Sequence, residues 1–259
     1  MKAFKYIVIL LCVFISNNIF AQNAHFIKKG VIEFEKKSNM YAIIKKRINK
    51  DNEIYLNEAF ENFKKNKPQF KTAKSTLTFN QNKSLYQWPE SNEPVDNNWL
   101  SNDPLANLKN IIATNFDTQK SITKKDVFEN TYLVTDSVRK INWKITNEIR
   151  EIAGFECRRA NALIMDSLYV VAFYTDQIAI SGGPESFTGL PGMILGLALP
   201  HENVSWFATK VTELTVTEKD LVPPTKGKPT NDKGLQTILK GAMKDWGEYA
   251  QFILKAYLL

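Results

Sequence analysis

Apolar and polar positions alternate along most of this chain with the period of strands, and in two places the period lengthens to that of a helix. In residues 54–67, Leu56, Ala59, Phe60 and Phe63 recur at intervals of three and four. They form one apolar stripe, with Glu58, Glu61, Lys64 and Lys65 facing water and Pro68 closing the helix. Before it, Val31, Ile32 and Phe34 predict a strand over residues 30–34. The basic stretch 41–50 reads as either a helical turn or a loop with a solvated charged face. Residues 76–79 and 84–88 form a hairpin across Asn80-Gln81-Asn82-Lys83, and residues 89–104 have no apolar period and read as a loop. Further strands are predicted over 126–135 and 141–152. In the second, Trp143, Ile145 and Ile149 alternate with Lys144, Thr146, Glu148 and Arg150, which predicts one buried and one wet face.

Gly154 turns the chain into a strand over 155–164, and Asp166-Ser167 turns it again into 168–175. There Val170, Val171, Ala172, Phe173 and Tyr174 are apolar on both faces, so this strand belongs inside the sheet with cover on each side. Residues 203–218 are rich in strand formers. Pro223, Pro224 and Pro229 mark 222–231 as irregular. The chain then carries one long amphipathic helix, with Leu235, Ile238, Leu239, Ala242, Trp246, Tyr249, Ala250, Ile253 and Tyr257 at helical spacing. Gly241 and Gly247 each cost such a helix about 1 kcal/mol relative to Ala, so it needs tertiary support. Docking on its own sheet is the first reading, and contact with a membrane surface or a partner the alternative. The expected fold class is α+β: a single domain with a curved, mainly antiparallel, half-barrel-like sheet, packed by an inserted helix and a C-terminal amphipathic helix.

The first 21 residues have the three parts of a secretory signal: Lys2 and Lys5, an apolar run over 6–15, and Ala21 at the cut. The run is too short to span a bilayer, which takes roughly 20 residues. Cys12 follows Leu11 and does not fit a lipoprotein signal. The expected division is therefore a signal peptide at 1–21, a β-rich domain at 22–221, a linker at 222–233 and the helix at 234–259. The expected location is the periplasm or the exterior. Cleavage drops two lysines and no acid, taking the formal charge from +7 to +5, which is no nucleic-acid signature. It leaves Cys157 alone, so no internal disulfide can form, and the cysteine reads as a small buried hydrophobe. The two histidines, His25 and His201, lie in no catalytic motif. There is no Gly-x-Ser-x-Gly elbow, no His-Glu-x-x-His, no CxxC and no EF-hand loop. An enzyme is not expected, nor a cofactor or metal. A hydrolase using a pair of the many carboxylates stays as an alternative.

Five of the 11 glycines fall in residues 182–196. Gly182-Gly183-Pro184 is followed by Gly189-Leu190-Pro191-Gly192-Met193-Ile194, in which 190–193 fits a type II turn and 193–199 a buried strand. This block resembles the signature of the GLPGLI family, or Porph_ging domain, of secreted Bacteroidota proteins. Ser84-Leu85-Tyr86, Trp143-Lys144-Ile145, residues 152–157, Arg159-Ala160, 172–175, Ile178 and Gly183-Pro184 match in order, over roughly residues 30–217. Met193 stands in place of the usual leucine and Ala179 in place of proline. The resemblance implies an envelope protein without accepted catalytic residues, met alongside outer-membrane transport systems. The residues themselves make Gly183, Pro184, Gly189, Leu190, Pro191 and Gly192 a scaffold, or a loop that shapes the mouth of a pocket or a partner surface. Arg158 and Arg159 are candidates to meet an acidic group there, or are plain surface. The expected role is a non-catalytic binding or carrier module, its partner an apolar ligand or an outer-membrane transport protein. Trp88, Trp143, Phe173, Tyr174 and Trp206 are available to line a cavity or to fill a core. Asp136-Ser137-Val138 and Asp166-Ser167-Leu168 resemble O-glycosylation acceptors, and Asp-Ser also suits ordinary turns.

Overall fold

The first of the described strands lies inside the sheet, and those that follow build outward from one of its sides and back to the other. The structure is a computed structural model that describes residues 26–89, 96 and 98–259. The signal-like segment, Cys12 and His25 fall outside these residues. Among the described residues, β1 (Gly30–Asn39) is followed by α1 (Met40–Lys45) and α2 (Glu53–Asn66). Then β2 (Phe70–Phe79), β3 (Lys83–Gln87), β4 (Ile111–Asn115), β5 (Lys120–Val127) and β6 (Asn130–Ser137) meander away from β1. A short helix, α3 (Pro104–Asn107), precedes β4. The chain next starts at the opposite edge with β7 (Lys144–Ile152) and returns through β8 (Phe155–Ile164), β9 (Leu168–Thr175), β10 (Met193–Leu199) and β11 (Val204–Glu213) to pair with β1. With a short last strand, β12 (Lys228–Thr230), the sheet is open and mainly antiparallel, in the order β12-β6-β5-β4-β3-β2-β1-β11-β10-β9-β8-β7.

The strand β12 (Lys228–Thr230) pairs parallel with β6 inside the segment expected to be irregular. It is short and at the edge, where a proline is tolerated because no ladder donor is lost inward. The single long helix expected at the end is two, α4 (Asp232–Ala242) and α5 (Glu248–Leu258). Gly247, at φ 56°, takes a left-handed conformation that breaks the helix and turns it. The strand expected over 126–135 is likewise two, because a turn at Phe128 and Glu129 divides β5 from β6. In 89–104 the described part contains a 3₁₀ turn, Trp99–Ser101, and the start of α3.

Burial follows register. On β1 the even positions all face inward, so Ile32 and Phe34 are followed by Lys36 and Ser38 on the same buried face. The large core joins that face to α1, α2, β9, β10 and β11. Tyr41 stands edge-on to Phe60 and Phe63, and its hydroxyl donates to the carbonyls of Lys64 and Lys67, serving the open end of α2. Strand β9 is buried on both faces, as its run of apolar residues predicts. Strand β7 departs from expectation. It is the edge, and Ile145 and Ile149 are 44% and 55% exposed, so of the expected inward face only Trp143, just before the strand, and Ile152, at its end, meet the large core. A second, smaller core holds Val127, Tyr132 and Val134 against Leu235, Leu239, Met243, Ile253 and Leu254. The helices α4 and α5 therefore dock on β5 and β6.

Candidate functional site

The 17-residue connection between β9 and β10 holds the glycine and proline block, and it does two different things along its length. At its C-terminal end it is scaffold. Gly192 N–H donates to Leu190 O at 2.7 Å around Pro191, while Met193 N–H donates to Ile178 O at 3.0 Å. The bend is thus a three-residue turn and not the expected type II turn, because Met193 is claimed by the incoming arm of the same loop. Gly192 does take positive φ, at 149°, and a Cβ there would lie 2.1 Å from Thr175 O. Gly183 allows a similar approach, with Phe187 O 2.6 Å from where its Cβ would be. Pro184 and Leu190 are buried, Gly189 and Pro191 exposed. The indole of Trp143 donates to Thr188 O at 2.9 Å and pins the loop from the side.

Arg158 and Arg159 are not brought to this bend. Arg158 is exposed on β8, and Arg159 pairs with Glu148 at 2.5 Å and donates to Asn161 at 3.0 Å. Both carry the ordinary chemistry of a strand surface. Cys157 is buried as expected, and burial pushes its thiol up to about 12. Ser137 ends β6 and Ser167 sits in the turn before β9, and the bonds of both are local: Ser137 N–H donates to its neighbour Asp136, and Ser167 Oγ to Met165 O.

The middle of the loop carries Glu185, which no motif singles out. It is nonetheless the only charged residue between Asp176 and Glu202, and that isolation is the signal in the sequence. Glu185 is 5% exposed and left-handed, at φ 53°, a conformation that costs a non-glycine residue about 1 kcal/mol. Its carboxylate accepts from Asn110 Nδ2 at 2.9 Å and, more distantly, from Tyr86 Oη at 3.4 Å. Lys36 and Lys125, both buried, act on it from β1 and β5. Lys36 Nζ lies 5.3 Å and 5.1 Å from the ring centres of Trp88 and Trp206. Burial raises the Glu185 carboxyl, opposed by the nearby lysines and Asn110. It lowers Lys36 and Lys125 to about 8, and raises the Tyr86 phenol well above its usual range.

This interior is short of partners. Ser75 Oγ and Trp206 Nε1 lie around the Tyr86 hydroxyl without a hydrogen bond of good geometry, and Trp88 Nε1 and Asn110 Oδ1 are likewise unsatisfied. Thr188 Oγ1 and Arg139 Nη1 share this condition close by. Each such atom costs about 1–3 kcal/mol relative to one that is bonded. Two small cavities adjoin. One of about 10 Å³ is bounded by Lys36, Asn110, Glu185, Trp206 and Leu259. The other, of about 40 Å³, is bounded by Thr123, Lys125, Arg139, Ser186, Thr188 and Leu259. These are volumes on the scale of one to a few waters. Of the aromatics expected as cavity lining, Trp206 and Trp88 are at this interior, while Phe173 and Tyr174 belong to the large core. Among the described residues no group of His, Cys, Asp and Glu could hold a metal ion.

The fold is shared with a much longer protein. Two crystal forms of PNGF-II, in space groups C2 and P21, superpose with a TM-score of 0.51 at 13% and 14% identity. The match covers 79% and 82% of this chain and 31% and 33% of PNGF-II, so the chain spans about a third of that protein's length. At this identity the likeness concerns the fold alone. No curated protein matches the chain in sequence. Residues 161–196, which run from β8 through the Glu185 loop into β10, match the family model of a protein of unknown function (Porph_ging), the family that the glycine and proline block resembles.

Proposed function

We propose that the protein is an exported, non-catalytic binding module of the cell envelope, and that it receives a polar ligand group in the interior around Glu185. The observation that carries this reading is the concentration there of buried polar atoms without protein partners, beside two buried lysines. Buried polar groups are normally satisfied, so a cluster that lacks protein partners is a candidate place for water, an ion or a ligand group. An apolar cargo is the weaker expectation, since it needs roughly 300 Å³ or more and the cavities here are about 40 and 10 Å³. Catalysis by paired carboxylates would need a second acid beside Glu185, whose partners are instead Asn110, Tyr86 and the two lysines.

A curved, half-barrel-like sheet belongs to the same proposal. Strands β6 and β7 are ten places apart in the sheet order, a separation of about 48 Å if the sheet were flat. The link from Ser137 to Lys144 can reach about 25 Å. Curvature that brings the two sheet ends toward each other resolves the mismatch and cradles α5.

Purification from native envelopes followed by native mass spectrometry tests the binding role. A small-molecule adduct is expected on the wild-type chain and is expected to be lost from Lys36→Met. Wild-type protein that arrives free of adducts under gentle conditions would overturn the proposal. The exposed edge β7 favours a second reading, an accessory subunit that docks on an outer-membrane transport complex through strand pairing. Ile149→Lys should then release a co-purifying membrane protein.

A further inference from the structure

We infer that the last turn of α5 sits in a cradle built for a small oxyanion, a carboxylate or phosphoryl group, and yields it when a ligand bearing that group arrives. This deepens the binding reading above and rests on it. Three donors from separate parts of the chain converge on the backbone oxygens of three consecutive residues. Lys125 Nζ on β5 donates to Tyr257 O at 2.9 Å, Arg139 beyond β6 donates to Leu258 O, and Ser186 Oγ on the Glu185 loop donates to Leu259 O at 2.6 Å. A helix end presents unsatisfied carbonyls and partial negative charge, so a site that holds it offers what an oxyanion requires.

The cradle has more donors than the helix uses. Arg139 Nη1 and Thr188 Oγ1 are buried without a protein partner, and both residues border the 40 Å³ cavity next to the helix end. Capping alone gives neither atom a role, whereas an anion with several oxygens engages both. Asp136 and Asp232 also border this cavity. The Asp136 carboxylate is already committed to the backbone N–H groups of Ser137 and Asp232, which limits its opposition to an incoming anion.

The helix can leave in part. Ala250, Ile253 and Leu254 hold the body of α5 on the second core, so only the final turn need unwind. Leu259 borders both cavities, and its departure joins them into one chamber that runs from Arg139 to Lys36 and Glu185. Exposing Tyr257 and Leu259 opposes the exchange, so simple anions bind weakly and a larger ligand carrying the group binds more tightly.

Hydrogen exchange on the full chain, with inorganic phosphate, acetate or chloride added at constant ionic strength, tests this. Phosphate or acetate should speed exchange of the amides of residues 256–259 at least fivefold and leave 250–254 unchanged, with chloride inactive. Whichever anion acts identifies the ligand group. Ala256→Gly weakens the last turn and should tighten the active anion about fivefold. Thr188→Val should weaken it severalfold, an effect that a capping role would not produce, because Thr188 Oγ1 makes no bond to the helix. No response to either anion in Ala256→Gly, or a response matched by chloride, overturns the cradle. If native protein still carries a small-molecule adduct in that case, the binding role stands and only this assignment falls.

Discussion

The middle and the C-terminal end of the loop between β9 and β10 obey opposite rules. Around Pro191 every constraint is met: the turn closes on itself, Gly192 lets Thr175 O approach, and Met193 enters a strand that is buried almost throughout. Around Glu185, seven residues earlier than Gly192, a left-handed acid is held among lysines, indoles and polar atoms that lack partners. The lesson is that the motif which resembles the family signature is the anchor, and the residue it positions is the candidate for function. A rigid bend fixes the position of the loop, and the stability it supplies offsets the cost of the polar interior beside it.

That contrast is broken most forcefully at the anchor. Gly192→Ala puts a Cβ 2.1 Å from a backbone oxygen at φ 149°, and should cost about 4 kcal/mol or more in denaturant unfolding, or prevent folding. Next comes the difference between core and edge. Ile194→Ala, at a fully buried site, should cost about 3 kcal/mol, whereas Ile149→Ala on the exposed edge should stay within about 0.5 kcal/mol.

The polar middle of the loop makes itself felt through pH. Lys36 and Lys125 fall from 10.5 to about 8 on folding, so between these values the unfolded chain binds more protons than the folded one. Stability should therefore rise with pH across that window, by roughly a few kcal/mol in all, and Lys36→Met should flatten the rise. Glu185 acts in the opposite sense at lower pH. Its raised carboxyl makes stability fall as pH climbs from its usual range toward its folded value. The smallest effect is chemical. The Cys157 thiol, pushed up to about 12, should resist thiol reagents at pH 8 in the native protein and react once it is unfolded.

Much of the fold is legible along the chain because strands and helices differ in period. The helix α2, the hairpin of β2 and β3, and the strand β10 lie where their apolar patterns place them. The candidate site is less legible for a specific reason. Lys36 and Lys125 look like solvated charges, yet each continues an alternation, Ile32-Phe34-Lys36 and Thr123-Lys125-Val127, that carries it inward. A charge at the right parity follows its strand, and the strand is held by its apolar neighbours. Ile145 and Ile149 err in the other direction, since alternation reports a pleat and cannot report whether a neighbouring strand or layer covers it.

The sequence by itself determined most of the elements, the presence of a bend at Pro191 and the buried core, since these depend on local period, backbone freedom and apolar content. Tertiary structure alone decided that β1 would be central and β7 an edge, that Gly247 would split the last helix, and that Glu185 would meet Lys36, Asn110 and Lys125. Those meetings join residues 60 to 149 positions apart. Nothing local fixes such distances; they follow only when the sheet order brings strands from both meanders and one long loop to the same place.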